Sequence, residues 1–481
     1  MSELHDECGV FGIYKNDESM DIVEETYLAL YTLQHRGQIG AGIAVNKDGS
    51  MVHYKDFGMI PEALPEKELM RLGNGKIALG HVKYSSGEAI ERENLAPLVM
   101  RYIKGQLAIC MNGALTNYHV LYELLSQGAA IFQSNGDTEI ISYIIARERI
   151  NAGSIEEAVE KAVSQLCGAY ALVLMSPSKL IGVRDPMGIR PLCMGKIGES
   201  FVLTSESCVF DSLGGEFIRD VDPGEIIVID DQGVHSYRSR CGGKSALCMF
   251  EFVYFSRPDS VIDGVSVAKA RQRAGELLAK QHPVDADIVC GVPDCGIESA
   301  IGYSMASGIR YATGLIKNKY IGRAFNDRKK NDEYLMRIKL NALKHSVEGK
   351  RVIVIDDSIL KGKTSRHIVD LLRKAGAKEV HMRIASPLFK NPCYLTSDTT
   401  PKENLIAARM TTDEICRYIG ADTLGFLSTD SLREIAKGCR LDFCDACFTG
   451  NYPLDVSDTS RKDKYSEKIK TDGEAAMEVK I

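Results

Sequence analysis

Two joined domains of different rhythm are what this 481-residue sequence predicts: a layered α+β half, then a doubly wound α/β half. Three observations predict them. The chain is too long for one ordinary core, since domains average roughly 150 residues. Up to about residue 240, short apolar strands interleave with amphipathic helices. Beyond Ser256-Arg257-Pro258-Asp259, strand, loop and helix alternate, the pattern of a parallel sheet that binds ligands at its carboxyl ends.

In the first half, apolar runs predict strands at 8–14, 42–46, 77–82, 107–111, 170–175 and 226–229. Apolar residues recurring every three or four positions predict helices at 24–33, 118–125, 138–147 and 155–165. Asn46-Lys47-Asp48-Gly49 and Asp231-Gln232-Gly233 read as hairpin turns. In the second half the expected order is helix 267–281, strand 286–292, loop 293–296, a helix and a strand. After a basic segment come strand 351–355, loop 356–364, helix 365–375 and strand 379–385. A short helix pair and Cys-rich loops fill 401–454, and the charged stretch 455–481 reads as a flexible tail. The two main domains are expected at 8–240 and 250–400.

Composition excludes several classes. Hydrophobic residues make up 44% and charged residues 26%, as in soluble globular proteins. Nothing approaches the roughly 20 apolar residues of a membrane span, and the acidic N-terminus lacks the basic start of a secretory signal, so a cytoplasmic setting is expected. A net charge of −6 supplies no global field for nucleic acid. In such a setting fourteen cysteines do not form a disulfide framework. Most, such as Cys110, Cys167 and Cys193, read as small buried residues. Cys8, Cys295 and a C-terminal set need another explanation.

VIVIDDSILKGKTSRHIV is the most informative local stretch. A buried strand at 352–355 ends in Asp356 and Asp357; Ser358, Gly362, Lys363, Thr364 and Ser365 then lead into a helix. Backbone N–H groups and the helix N-terminus cradle a phosphate, and the Thr364 and Ser365 hydroxyls add donors. The acid pair repels that phosphate and suits ribose hydroxyls or a Mg²⁺ ion held on the sugar. The stretch looks like the ribose-5-phosphate loop of type I phosphoribosyltransferases. It lacks the spacing of a Walker A loop. Val292-Pro293-Asp294-Cys295-Gly296, ending an earlier strand, offers backbone amides to a pyrophosphate, although alone it also reads as an ordinary turn. Lys317, Lys319, Arg323, Arg328, Lys329, Lys330, Arg337 and Lys339 crowd the intervening segment, as a solvated face or as a loop closing over polyphosphate.

Cys8 follows seven polar residues and opens a strand. A buried structural thiol is the plain reading. If 1–7 are a removed propeptide, its own α-amino group, with a pKa of about 8, becomes the base for its thiol. Such a nucleophile needs an oxyanion site, for which Asn112-Gly113 offer a side-chain amide and a backbone N–H. It also needs a grip on an amino-acid substrate: Asp137 for the ammonium, Lys83 for the carboxylate. Each has a bland alternative: a turn, a helix cap and a surface charge.

The ordered motifs CGVFGI, LQHRGQ-x-GAGI, GHVKYSS, NGALTN, DTE, GAYALV, RDPMGIRPL and LTSES resemble the glutaminase domain of class II amidotransferases. With CMFEFVYFSRPDS, GLIKNKYIGRAF, DDSILKGKTSR and CDACFTGNYP, residues 8–453 resemble the glutamine phosphoribosylpyrophosphate amidotransferase family. The resemblance implies a four-layer αββα N-terminal-nucleophile glutaminase domain joined to a type I phosphoribosyltransferase domain. It implies the first committed step of purine synthesis, from glutamine and phosphoribosylpyrophosphate to 5-phosphoribosylamine, glutamate and pyrophosphate. Cys8 is then the nucleophile, Asn112 and Gly113 the oxyanion site, and Asp137 the ammonium partner. Purine nucleotide inhibitors and a homo-dimer or tetramer are also implied.

One branch of the family carries a 4Fe-4S cluster. By this resemblance Cys248, Cys393, Cys444 and Cys447 are its ligands and Cys439 is spare; the spacing alone leaves zinc, redox or no role open for the CxxC pair. Several positions depart from the family pattern. Lys83 stands for Arg, Met111 for His, Ile39 for an acid, and Cys295 for a Ser that faces magnesium, where a thiol is a poor ligand. Lys361 and Lys363 replace Arg and Thr. These changes raise an alternative: a divergent relative with an altered acceptor or lost glutaminase activity, binding nucleotides or sugar phosphates.

Overall fold

Period-two alternation decides how the first half is layered. The structure, a computed structural model, describes residues 8–84, 91–318, 338–396 and 400–460. The expected propeptide 1–7, the basic residues Lys319, Arg323, Arg328, Lys329, Lys330 and Arg337, and the tail beyond 460 lie outside them.

Among the described residues, thirteen strands build the first half: β1 (Gly9–Tyr14), β2 (Gly40–Lys47), β3 (Ser50–Phe57), β4 (Ile77–Lys83), β5 (Leu98–Tyr102), β6 (Gly105–Leu115), β7 (Gly168–Met175), β8 (Leu180–Arg184), β9 (Cys193–Ile197), β10 (Ser200–Thr204), β11 (Glu216–Asp220), β12 (Ile226–Asp230) and β13 (Gly233–Tyr237). They form two antiparallel sheets, ordered β11-β9-β10-β1-β4-β2-β3 and β13-β12-β8-β7-β6-β5. Along β1, Val10 and Tyr14 share the core between the sheets with Ala108, Cys110 and Val173. Phe11 and Ile13 turn the other way, onto Leu30 of helix Ile22–Thr32. On the far side, Ile109, Met111, Leu172 and Leu174 pack on Ile140, Ile141 and Ile144 of helix Asp137–Asn151. Helix, sheet, sheet, helix is the αββα order the family resemblance implies. Both expected hairpin turns are present, closing Lys47 on Ser50 and Asp230 on Gly233.

In the second half, strands Ile288–Gly291, Arg351–Asp356, Glu379–Ile384 and Thr423–Phe426 lie parallel, adjacent in that order. Val289, Ile353 and Ile355 face Ala274 and Leu278 of helix Val267–Gln281. Val352 and Val354 face Ile368 and Leu372 of helix Lys363–Lys374. Burial on both faces is why the strand reads as an unbroken VIVI run. The last strand comes from beyond residue 400, where a Cys-rich extension was expected to begin, so the sheet runs past the expected boundary. Four residues are too few to show a period, and Thr423-Leu424-Gly425-Phe426 carries no other strand signal.

The extension then returns to the junction, where Phe443–Cys444 pairs in parallel with Leu247–Cys248. Buried Arg36 crosses that junction, bonded to Glu206 and Glu251 and to Ser256 Oγ at 2.9 Å. Removing either acid would leave the buried guanidinium on the remaining carboxylate alone. RDPMGIRPL serves the same junction: the Asp185 carboxylate accepts the N–H groups of Met187, Ile189 and Arg190 at 3.0–3.1 Å, and Arg190 donates to the Leu395 carbonyl at 2.6 Å.

Candidate active site

Cys8 is 1% exposed and leads directly into β1. Asn112 and Gly113 do not end a strand, as the sequence suggested, and they do not form a turn. β6 continues to Leu115, with Asn112 opposite Ala171 and Gly113 opposite Tyr170. Asn112 is fully buried on the face that points between the sheets. Neither its Nδ2 nor its Oδ1 has a hydrogen-bond partner among the described residues. An unpaired buried amide costs about 1–3 kcal/mol, so its retention points to a group that binds there. Gly113 holds φ at +124°, and a Cβ there would stand 1.9 Å from the Ala169 carbonyl oxygen, so only glycine fits.

Asp137 is buried at the first position of helix Asp137–Asn151, and the capping position belongs to Gly136. The bland reading of Asp137 as a helix cap therefore falls. The loop before it is pinned by Glu139, whose carboxylate accepts from the Gln133 and Ser134 N–H groups at 2.9 and 2.7 Å. Sequence reading gave Glu139 no role, although it ends the DTE motif. Lys83 is half-buried at the end of β4, and its charge reaches His81. His81 itself donates to the Met111 carbonyl at 3.0 Å, and burial pulls its pKa down to about 3. Lys55 also escaped sequence reading. Its ammonium donates to the Leu95 and Glu93 carbonyls at 2.5 and 3.2 Å, and burial lowers its pKa to about 8. It lines a cavity of about 260 Å³ with Arg92, Gln133 and Ser134, beside the Asp137 loop. No periodicity marks Lys55, because β3 lies at the sheet edge.

The second site forms where two parallel strands end side by side. The Val292 N–H donates to the Ile355 carbonyl at 2.8 Å, which brings the 293–296 loop onto the acid pair. Asp356 and Asp357 are 2% and 3% exposed. Burial raises both carboxyls, and their mutual repulsion adds to the rise at Asp357. Ser358 donates to Asp357. Gly362, at φ +80°, turns the chain into helix Lys363–Lys374, two residues earlier than expected; among the described residues no side chain caps that helix, which leaves its first N–H groups available. Ser365 is buried in the first turn, Thr364 is half-buried and Lys363 is exposed. Cys295 lies beside the acids, with burial pushing its thiol up to about 12 and Asp357 adding to it. Asp294 is largely exposed and pairs with Lys317 at 2.5 Å.

Four cysteines separated by up to 199 positions in the chain converge. Cys248 and Cys444 are ladder partners. Burial raises the Cys447 thiol well above its ordinary range, with Cys393, Cys248 and Cys444 adding to the rise. Cys439 senses Asp263 and Asp220 instead. None of the four is in a disulfide, and no three His, Cys, Asp or Glu side chains among the described residues stand together in metal-gripping geometry. Cys110 and Cys193 are buried as expected, while Cys167 is only half-buried.

Residues 91–212 match the glutamine amidotransferase domain family, and residues 273–412 match the phosphoribosyl transferase domain family. The chain is 44% identical to the amidophosphoribosyltransferase of Methanocaldococcus jannaschii over 94% of its length and 98% of the relative's. It is 43% identical to the Bacillus subtilis amidophosphoribosyltransferase, over 94% and 95%. The chain belongs to the amidophosphoribosyltransferase family. It is an enzyme of that family, and no finding favours the divergent alternative raised by its substitutions.

Its fold agrees with that placement. The solved B. subtilis glutamine phosphoribosylpyrophosphate amidotransferase, complexed with ADP and GMP, aligns at a TM-score of 0.87 with 42% identity, over 93% of this chain and 98% of that one. A structure described as the allosteric regulatory enzyme of purine biosynthesis aligns at 0.88, also at 42% identity, over 93% and 97%. Among the described residues no helix is long and apolar enough to cross a membrane.

Proposed function

We propose that Cys8 frees ammonia from glutamine in the first domain, and that the acid-pair loop of the second domain places the ribose that receives it. The reaction is glutamine, water and phosphoribosylpyrophosphate to glutamate, 5-phosphoribosylamine and pyrophosphate. The buried, unpartnered Asn112 amide on the inter-sheet face carries this reading. The Cys8 thiolate adds to the glutamine side-chain amide carbon, and its α-amino group, once 1–7 are removed, takes the thiol proton. Asn112 and the Gly113 N–H hold the oxyanion, Asp137 the ammonium and Lys83 the carboxylate. Ammonia leaves, and water cleaves the thioester to glutamate. At the second site Asp356 and Asp357 orient the ribose hydroxyls. Thr364, Ser365, Ser358, Lys363 and the helix N-terminus after Gly362 hold the 5-phosphate, and the Asp294 loop holds pyrophosphate. Ammonia then displaces pyrophosphate at ribose C1.

Two buried neighbouring carboxyls suit a divalent cation, and Asp356 and Asp357 would hold Mg²⁺, which supplies charge neutralisation of the leaving group. Cys295 is a poor ligand for so hard an ion. The convergence of Cys248, Cys393, Cys444 and Cys447 suits a 4Fe-4S cluster, which would tie the extension to the junction. Protein purified without oxygen should be brown, with iron and sulfide in equal amounts; Cys447→Ser should lose both, and a colourless wild type would end this assignment. Fourteen cysteines with no disulfide among them suit a cytoplasmic setting. A relative solved with ADP and GMP supports purine nucleotides as inhibitors here, acting on a homo-dimer or tetramer.

The test is N-terminal mass analysis of the mature protein combined with an assay dependent on both substrates. A chain beginning at Cys8 that forms phosphoribosylamine from glutamine is the expected result. A mature chain still beginning at Met1, with no glutamine hydrolysis, overturns the nucleophile assignment.

A further inference from the structure

A buried hydrogen bond joins the two sheets of the first domain one peptide away from Asn112. On β4, His81 stands opposite Val10 of β1. Directly opposed residues of an antiparallel pair share a face, and Val10 packs in the core between the sheets, so His81 points there too. The residue is 2% exposed, and its Nε2 meets the carbonyl of Met111 on β6, in the other sheet, at 3.0 Å. A carbonyl only accepts, so His81 carries its proton on Nε2. Its Nδ1 is then an acceptor, with no partner among the described residues. Met111 takes part through its backbone alone, since its side chain turns the other way, onto Ile140, Ile141 and Ile144. The carbonyl that His81 holds belongs to the peptide group ending at the Asn112 nitrogen. The Asn112 Cα in turn carries both the side-chain amide and the peptide leading to Gly113.

We infer that His81 is a positioning residue for the glutaminase half-reaction, holding the Met111–Asn112 peptide so that the Asn112 amide and the Gly113 N–H face the developing oxyanion together. The inference rests on the oxyanion role proposed above for those two residues. Oxyanion stabilisation needs donors already aimed when the charge appears. No group among the described residues bonds the Asn112 amide, so its direction is set by its backbone. Two things hold that backbone. The ladder with β7 runs along β6 from Ala108 to Leu115 and fixes it within its own sheet. The His81 bond ties it to the other sheet, which carries β1 and the Cys8 that precedes it. In this role His81 neither gives nor takes a proton. Burial, helped by the charges of Lys83 and Lys55, keeps the ring neutral down to about 3, so the bond is the same at any pH near neutrality.

The experiment compares His81→Gln, His81→Asn and His81→Leu in the full chain, measuring glutaminase kcat and KM beside synthesis from free ammonia. Gln places an amide N–H near the Nε2 position, Asn places one only near the Nδ1 position, and Leu places none. His81→Gln should keep kcat within about threefold of the wild type, whereas His81→Asn and His81→Leu should lose about 100-fold, the cost of a group misplaced by ~1 Å. KM for glutamine should stay within about twofold in all three, and the pH profile of kcat should keep its shape in His81→Gln. Synthesis from free ammonia should be unchanged, which shows that each variant folds. Equal loss in His81→Gln and His81→Leu overturns the inference, as does full activity in His81→Leu. A loss confined to KM overturns it by pointing to Lys83, further along β4. A limb of the pH profile that vanishes in His81→Gln would make the ring a proton carrier, and ammonia-dependent synthesis falling in step with glutaminase would make it structural; either result overturns positioning. An inactive wild type removes the nucleophile reading and this inference with it, whereas the other outcomes leave that reading standing.

Discussion

The two sites are built in opposite ways. In the first domain, the candidate groups are buried within or beside strands and at a helix start: Cys8 just before β1, Asn112 and Gly113 inside β6, Asp137 at a helix start. At the acceptor site, they sit on loops just past the ends of parallel strands, with Lys317 paired to Asp294. Strand interiors give rigidity and exclude water, which suits a covalent intermediate that must not leak ammonia. Strand-end loops give access and backbone donors, which suits a large polyphosphate that enters and leaves.

That contrast can be broken by single substitutions. Cys8→Ala should abolish glutamine-dependent synthesis, by more than about 1,000-fold, while leaving synthesis from free ammonia within about twofold of the wild type; equal loss of both would merge the sites. Asn112→Ala should lower glutaminase kcat by about 100–1,000-fold without loss of thermal stability, because its amide has no partner among the described residues; a large drop in melting temperature would make it structural instead. Asp356→Asn should cut synthesis from either nitrogen source by at least about 100-fold and leave glutamine hydrolysis measurable.

The smallest effect sharpens the picture of the sealed site. Folded His81 stays neutral down to about 3, whereas the unfolded residue titrates near 6.5. Between those values the unfolded chain binds more protons, so stability is present above 6.5 and falls as pH drops toward 3. His81→Gln should flatten that limb by about 2–3 kcal/mol between about pH 7 and pH 4.5, read by urea unfolding at both. An unchanged slope would mean that water reaches His81.

Legibility differed between the halves for the same reason. The acceptor loop announced itself because its parts are contiguous: one stretch from Val352 to Ser365 holds strand, acid pair, glycine turn and helix start. The residues proposed for the glutaminase site come from β4, β6, a helix start and the position before β1, so they could be matched only through family resemblance. Lys55 and Glu139 went unassigned because their partners are backbone groups of other segments. The strand Thr423–Phe426 was missed because only its parallel neighbour makes it a strand.

By itself the sequence determined the two-domain order, most element positions, the acid-pair loop and the membership its motifs implied, because hydrophobic period and turn chemistry are local. Only the tertiary structure decided that Asn112 lies buried and unpartnered among the described residues, that Arg36 binds the halves together, and that Cys248, Cys393 and Cys444 pack against one small cluster at the junction. Those facts depend on which distant segments share one desolvated space, and no local pattern encodes that.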